Sequence, residues 1–201
     1  MADQKFKADE IIGFHGEKHK DNGFLSNFYP YPHNITISNF GDIKEFDEDH
    51  ETFISFNCSE QFFMFHKAMT FYKEDPVKNV KNIDIMLEIL DSSDPKKIKQ
   101  LGRQVKGFTQ SKWDEVKYRI MYDANLHKFT ENHDLEQKLL DTGDKYLVEA
   151  SPTDKVWGIG MRKTDPDFLD QSKWKGTNLL GKVLMEVRKY LQDNPDHYIC
   201  W

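Results

Sequence analysis

The chain has 201 residues, 13% of them aromatic, and a formal net charge of −6. This length and aromatic content suit one folded domain with a sizeable core and exclude a disordered chain. No apolar run approaches the roughly 18 residues that a transmembrane helix needs, so we expect a soluble protein of the cytoplasm or nucleus. Cys58 and Cys200 lack the spacing of a metal site or a disulfide framework, which indicates reduced thiols, with Cys58 in the core.

Alternating apolar residues and turn signals predict short strands in two parts of the chain. The first three cover residues 11–15, 35–40 and 52–57. Two more, over residues 146–149 and 156–159, bracket a Ser-Pro-Thr-Asp turn. Residues 1–10 are expected to form a loose N-terminus, and nothing in residues 11–201 indicates a second domain.

The 3.6-residue period and helix-end signals predict a series of helices. They cover residues 59–73, 83–90, 95–101, 113–129, 134–140 and 177–191, the last of them capped by Thr177. Strands and helices do not alternate regularly, which counts against a doubly wound sheet. The pattern predicts an α+β fold, a single compact and helix-rich domain with a small sheet.

The first predicted helix places a carboxylate and an amine on one face. Glu60 and Lys67 are seven residues apart, nearly two turns, with a rise of about 10 Å between them. Ser59 is a suitable N-cap, and it leaves Glu60 in the first turn, where the helix dipole favours a carboxylate. Both polar tips can therefore reach one ligand. An ordinary amphipathic helix, with Lys67 extending to water, explains the same spacing.

Basic residues are concentrated in one segment although the whole chain is acidic. Between residues 96 and 119, only Asp114 and Glu115 oppose eight cations. These cations are Lys96, Lys97, Lys99, Arg103, Lys106, Lys112, Lys117 and Arg119. Such a segment is suited to phosphate groups.

Metal and dinucleotide motifs are missing from the sequence. His15 and His19 are four residues apart, but no His-Glu-x-x-His or Cys-x-x-Cys motif accompanies them. The acidic residues 45–51 lack the glycine that an EF-hand loop needs. Gly158-Ile159-Gly160 lacks the third glycine of a dinucleotide fingerprint. We therefore expect neither a metal nor a cofactor.

Several motifs together resemble the YbiA/NADAR family, in order and in content. The most specific are Ser59-Glu60 and the Ser-Pro-x-Asp-x-x-Trp-Gly-Ile-Gly pattern of residues 151–160. The others lie at residues 13–14, 24–30, 101–103 and 176–181, so that the resemblance covers residues 13–192. It departs from the family at Gln61, where a histidine is usual, and in residues 37–55, which are longer than in compact bacterial members.

The resemblance implies a YbiA-like fold and hydrolysis of a C–N bond between ribose and a guanine-like base. Family members act on ribosylaminopyrimidine phosphates of riboflavin biosynthesis or on ADP-ribosylated guanine in nucleic acids. In both substrates, ribose hangs on an exocyclic amine and can open to an imine at C1. A lysine in an apolar setting can exchange with that imine and form a Schiff base.

The catalytic candidates follow from this chemistry and from the resemblance. Lys67 is the expected nucleophile, and Glu60 is expected to move protons as a general acid and base. Asp154 is expected to hold a ribose hydroxyl or to share that proton transfer. Its alternative role is that of an Asx-type turn residue.

The candidate binding residues each have an ordinary structural alternative. Trp157 and Trp113 are flat faces for a base, or packed aromatic residues. Gly158 allows a close backbone approach, and the Ser26-Asn27-Phe28 turn offers hydrogen bonds and a ring to a nucleobase. Asn178 is a weaker candidate for phosphate or ribose. The first family motif adds Gly13 and Phe14.

From these arguments we expect a metal-independent N-glycosidase acting on ADP-ribosylated guanine in nucleic acid. The basic segment favours a polyanionic substrate over the riboflavin intermediates, which need only one or two cations. The alternative from another class is a non-catalytic module that binds ADP-ribose. The expected partner is a modified nucleic acid or a ribosylated guanine-like small molecule, with no membrane and no obligate protein partner.

Overall fold

The structure, a computed structural model, describes residues 4–31, 35–37 and 54–196, with the backbone alone at 35–37. Within these ranges, no helix is long and apolar enough to cross a membrane. The chain divides into two compact units, one formed by residues 1–29 and 121–201 and the other by residues 30–120. The expectation of one catalytic domain over residues 11–201 stays a prediction.

The described residues form short strands and longer helices. The strands are β1 (Ile11–Phe14), β2 (Ile35–Ile37), β3 (Ile54–Phe56) and β4 (Tyr146–Glu149). The helices are α1 (Ser59–Glu74), α2 (Lys81–Leu90), α3 (Pro95–Gly102), α4 (Gln110–Thr130), α5 (His133–Leu140) and α6 (Leu179–Asp193). β1 and β4 pair in parallel, and β2 and β3 pair antiparallel. This confirms the predicted helix-rich α+β class.

In the unit of residues 30–120, α1 packs against α2, α3 and β3. Its phenylalanines, among them Phe62, Phe65 and Phe71, are almost completely buried. The start of α3 follows the usual rule for helix ends: the carboxylate of Asp94 accepts the Lys96 N–H at 2.9 Å, and Pro95 occupies the first turn. The packing brings the C-terminal end of α3 to the middle of α1.

In the other unit, α6 packs on β4, and α5 packs on α6. The same unit has a core of buried apolar side chains that includes residues of the paired strands β1 and β4. It contains Phe6, Ile11, Val148, Ala150, Ile159, Met161 and Phe168. The burial of Phe6, whose N–H donates to the Leu169 carbonyl at 2.9 Å, differs from the predicted loose terminus over residues 1–10.

The start of α1 corrects one prediction. Cys58, not Ser59, is the N-cap, and it makes no side-chain capping bond. The Ser59 hydroxyl is instead 2.8 Å from the Tyr31 hydroxyl. Gln61 holds the helix start, because its Oε1 accepts the Asn57 N–H at 2.8 Å. Cys58 is a buried thiol of the core, as predicted.

Two further predictions fail near the end of the chain. Residues 156–159 form bends and irregular structure rather than a strand. Thr177 does not cap α6; Asn178 is the N-cap, in the left-handed conformation with φ of 53°, and the Thr177 hydroxyl donates to the Val156 carbonyl at 2.6 Å. Residues 38–53, with parts of two predicted strands and the acidic segment, and Cys200 lie outside the described residues.

Candidate active site

Helix α1 carries Glu60 and Lys67 in the unit of residues 30–120. Glu60 lies in the first turn and is 4% exposed. Lys67 is half-buried near the middle of the helix. Helical side chains lean toward the N-terminus, so the Lys67 side chain leans in the direction of Glu60. Their charges interact, since Glu60 raises the pKa of Lys67.

The Lys67 amine is held by one carbonyl and two aromatic rings. Its Nζ donates a hydrogen bond of 2.9 Å to the carbonyl oxygen of Gly102, at the last residue of α3. The same atom lies 4.4 Å from the centre of the Phe108 ring and 5.6 Å from that of Trp113. A helix end and aromatic faces both attract a cation.

Burial of the Lys67 side chain opposes this attraction, because it disfavours the charged form of the amine. Loss of hydration is the largest cause that lowers the pKa of Lys67 from its ordinary value. Glu60 raises this pKa, and the nearby Arg103 lowers it. The net direction is downward, which increases the fraction of neutral amine near neutral pH. A neutral amine is the nucleophilic form.

The missing side chain of Gly102 explains how α3 comes so close to α1. A Cβ at Gly102 would collide with the Met64 side chain, one turn before Lys67. Glycine therefore lets the end of α3 approach the face of α1 that carries the amine. The Gly102 carbonyl reaches Lys67 as a result.

Trp113 lies in the first turn of α4 and is 7% exposed. Its ring packs on Phe63 at 4.9 Å between centroids. Trp113 is thus a packed aromatic residue, which was its alternative role. The face of the Trp113 ring also covers the Lys67 amine. Phe108, in contrast, is 40% exposed and leans on Phe71 at 5.3 Å.

Asp154 belongs to the other unit, on the turn between β4 and α6. Its Oδ1 accepts the backbone N–H groups of Val156 at 2.9 Å and Trp157 at 2.7 Å. This is the Asx-type arrangement that we considered as its alternative role. One carboxylate oxygen fixes the turn, and the second oxygen has no hydrogen bond to any described residue.

The motif around Asp154 is packed tightly. Trp157 is half-buried, and Gly158 is buried. A Cβ on Gly158 would meet the Glu149 carbonyl oxygen at 2.9 Å and the Asp154 carbonyl oxygen at 3.0 Å. The close approach at Gly158 is therefore to the protein's own backbone, which explains the glycine without a ligand.

Ser26 and Asn27 are both 8% exposed, whereas Phe28 is half-buried. The Ser26 hydroxyl accepts the Phe28 N–H at 3.2 Å, as expected for a turn. The Ser26 carbonyl accepts the amine of Lys128, a completely buried lysine of α4, at 2.9 Å. The Asn27 amide contacts the Met121 sulfur at 3.2 Å.

Three other candidates have structural roles in the same unit. Phe14 is 2% exposed, and a Cβ on Gly13 would collide with the Phe168 ring at 2.7 Å. The Asn178 side chain donates to the Leu147 carbonyl at 2.9 Å and accepts the Glu149 N–H at 3.0 Å. It is 1% exposed, so its side chain ties α6 to β4, and the expected contact with phosphate or ribose does not fit this burial.

The structure thus groups the candidates by unit. Glu60, Lys67 and Trp113 come together around one amine in the unit of residues 30–120. Asp154, Trp157 and the other binding candidates lie in the second unit. Within the described residues, no group of three or more His, Cys, Asp or Glu side chains is arranged to hold a metal ion.

A comparison with known protein families matches the part of the chain that contains these motifs. The sequence profile of the NADAR domain matches residues 13–192. This chain belongs to the NADAR family. The match includes the Glu60 and Lys67 helix and the Asp154 turn.

Relatives of this NADAR protein carry informative names. N-glycosidase R617 of Acanthamoeba polyphaga mimivirus is 37% identical over 91% of this chain and 97% of its own length. Protein irg-1 of Caenorhabditis elegans is 40% identical over 83% of this chain and 74% of its own. The NMR structure of Escherichia coli YbiA superposes with a TM-score of 0.64 at 27% identity, covering 96% of this chain and 92% of that one. The predicted family and fold are confirmed.

Sequence reasoning did not name Phe108, Arg103 or the Gly102 carbonyl as site groups. Phe108 lies in a loop between predicted helices and has no periodic signal. Arg103 was counted only as one cation of the basic segment. A backbone carbonyl is invisible to any residue-type argument, although the Leu101-Gly102-Arg103 motif marked the place.

Proposed function

We propose that this NADAR protein is an N-glycosidase that removes ADP-ribose from ADP-ribosylated guanine in nucleic acid. The observation that carries the proposal is the Lys67 amine, which is held at 2.9 Å from the Gly102 carbonyl, covered by aromatic rings and lowered in pKa by burial. Such an amine is suited to attack an electrophilic carbon. The names of its relatives agree with cleavage of an N-glycosidic bond.

The proposed chemistry proceeds by exchange of one C–N bond for another. Ribose opens on its exocyclic amine to give an imine at C1. The neutral Lys67 amine adds to C1, and Glu60 gives a proton to the departing amine of the base, so that a Schiff base joins Lys67 to ribose. Water then adds to C1, Glu60 takes up the proton from the water, and the amine leaves again as free lysine.

The charge pattern of the same unit supports a polyanionic substrate. Lys112 forms ion pairs with Glu74 at 3.0 Å and Glu115 at 3.8 Å, and Lys117 pairs with Asp114. Lys96, Lys97 and Lys106 are exposed and form no ion pair with any described residue. These three cations remain available to phosphates, and each phosphate contact adds affinity through the release of counterions.

The direct test is a mass-spectrometric assay of the purified protein on guanine-ADP-ribosylated DNA and on a ribosylaminopyrimidine phosphate, side by side. We expect release of ADP-ribose and restoration of unmodified guanine from the DNA, at a higher kcat/KM than for the pyrimidine. A reversed preference would assign the protein to riboflavin chemistry. Binding of ADP-ribose without turnover of either substrate would indicate a non-catalytic module.

Matched charge variants test whether the exposed lysines bind the nucleic acid. Replacing Lys96, Lys97 and Lys106 with Gln should weaken binding to a modified oligonucleotide and reduce its salt dependence, with little effect on a modified mononucleotide. Changing Lys112 and Lys117 to Gln is the control, because both are already neutralised by carboxylates. Equal losses in the two sets would contradict a role for the free cations.

A further inference from the structure

Arg103 has an unusual position for an unpaired cation. It directly follows Gly102, whose carbonyl holds the Lys67 amine, and its charge reaches that amine. Its side chain is exposed, and it forms no ion pair with any residue in the described ranges. Lys112 and Lys117, in the same basic segment, have carboxylate partners.

Two like charges beside each other do not stabilise the free protein. The guanidinium of Arg103 stays protonated in a protein, and its charge disfavours the ammonium form of Lys67. Glu60 is the only carboxylate among the causes of the Lys67 shift; it is buried, and Arg103 forms no ion pair with it. The place beside Arg103 is therefore electrostatically complementary to an anion that arrives with the ligand.

We propose that Arg103 binds the 5-phosphate of the ribose whose C1 reacts at Lys67. The inference rests on the proposed function for the identity of the sugar. C1 and the 5-phosphate belong to the same five-carbon sugar, so a cation next to the nucleophile can hold the phosphate while the amine meets C1. The planar guanidinium binds phosphate through two parallel hydrogen bonds, which fixes orientation as well as affinity.

The first experiment compares two substrates. One is guanine ribosylated on its exocyclic amine, and the other is the same compound with a phosphate on the 5-position of the ribose. We expect wild-type protein to prefer the phosphorylated compound in kcat/KM, by about tenfold or more, the usual effect of a hydrogen bond to a charged group. Arg103→Gln should collapse this ratio toward one, and Arg103→Lys should keep part of it. Lys81→Gln, an exposed cation of α2, is the matched control and should keep the full ratio.

The second experiment does not require turnover. Pyridoxal and pyridoxal 5′-phosphate each form an imine with a neutral lysine and release water, and borohydride reduces that imine to a stable amine. Removal of Arg103 raises the pKa of Lys67 and slows labelling by both aldehydes. Pyridoxal also forms a cyclic hemiacetal that its phosphate ester cannot form, so the phosphate effect is measured by the change in the ratio of the two rates between wild-type protein and Arg103→Gln. Peptide mass spectrometry measures labelling at Lys67 only.

The two experiments separate this inference from the proposed function. Faster labelling of Lys67 by the phosphate form, lost in Arg103→Gln and kept in Lys81→Gln, supports the phosphate site even if no glycoside is cleaved. Absence of turnover on every substrate would defeat the proposed function alone. Equal labelling by the two aldehydes in wild-type protein, or a phosphate preference of unchanged size in Arg103→Gln, would overturn the inference.

Discussion

The Lys67 amine and the Gly102 carbonyl oxygen are joined by a hydrogen bond of 2.9 Å between α1 and the end of α3. The contact holds the amine in place before any substrate is present, because a helix C-terminus attracts a positive charge. Burial works against that charge and lowers the pKa of the same amine. The site therefore fixes the position of Lys67 while favouring its ammonium form less than water does.

Glu60→Gln tests the carboxylate in two ways. Glu60 raises the pKa of Lys67, so the neutral glutamine should lower that pKa further and shift labelling of Lys67 by acetic anhydride to lower pH. If Glu60 is the general acid and base, turnover should still fall at least about a hundredfold. Near-normal turnover would remove Glu60 from the mechanism, and a higher labelling pH would contradict the electrostatic argument.

Phe108 acts on the amine through two opposing effects, which two variants separate. Phe108→Leu keeps the apolar cover but removes the ring face 4.4 Å from Nζ, so the pKa of Lys67 should fall. Phe108→Ala removes the cover as well, and since burial is the largest cause of the shift, this pKa should rise toward its ordinary value.

The pH dependence of labelling at Lys67 measures both Phe108 variants. Thermal melts serve as the control, because a ring that is 40% exposed contributes little to the core. If the pKa of Lys67 shifts in the same direction in both variants, the ring does not combine burial and attraction of the cation as two opposing effects.

Features that depend on local spacing along the chain could be predicted from the sequence. Glu60 and Lys67 share a helix face because of a fixed spacing, and α1, α3 and β4 begin at their predicted first residues. Predictions failed where a tertiary contact replaces the local rule. Residues 156–159 looked like a strand because they are apolar, but the Asp154 carboxylate accepts the N–H groups of Val156 and Trp157 and holds them in a turn.

The parts of the site that the sequence did not predict depend on packing between distant segments. The meeting of Gly102 with Lys67 requires α3 to lie against α1 at the one point where the missing side chain leaves room for Met64. Asn178 looked like a ligand contact in the first turn of a helix, whereas it bonds β4, about thirty residues away. Residue type and spacing carry no information on such pairs.

Gln61 provides a stability prediction at a position where the family usually has histidine. Its Oε1 accepts the Asn57 N–H, and its Nε2 donates to the carbonyls of Ile89 at 2.9 Å and Ser92 at 3.0 Å, so that it joins the start of α1 to the end of α2. Gln61→Ala should lower the free energy of unfolding by about 3 kcal/mol, since buried groups lose their partners.

Urea denaturation measures the effect at Gln61. Gln100→Ala, an exposed glutamine of α3, is the control and should stay within about 0.5 kcal/mol of wild type. A loss of less than about 1 kcal/mol in Gln61→Ala would mean that the hydrogen bonds are not responsible for joining the two helices.

Asp154 has a turn role that the structure describes and a catalytic role that the family resemblance predicts, and two substitutions distinguish them. Asp154→Asn keeps an Oδ1 acceptor for Val156 and Trp157, so the melting temperature should stay near wild type, while turnover should fall about tenfold or more through the lost charge. Asp154→Ala should also lose about 1–2 kcal/mol of stability. Full activity in Asp154→Asn would limit Asp154 to the turn.

The nucleophilic role of Lys67 is tested most directly by borohydride trapping during turnover of the ribosylated guanine substrate. We predict one ribose-derived adduct, at Lys67, in wild-type protein. Lys67→Arg keeps the charge but stays protonated and cannot form an imine, so it should be unlabelled and inactive while melting near the wild-type temperature. An untrappable wild-type enzyme together with an active Lys67→Arg variant would contradict the covalent route and leave the reaction to direct attack by water.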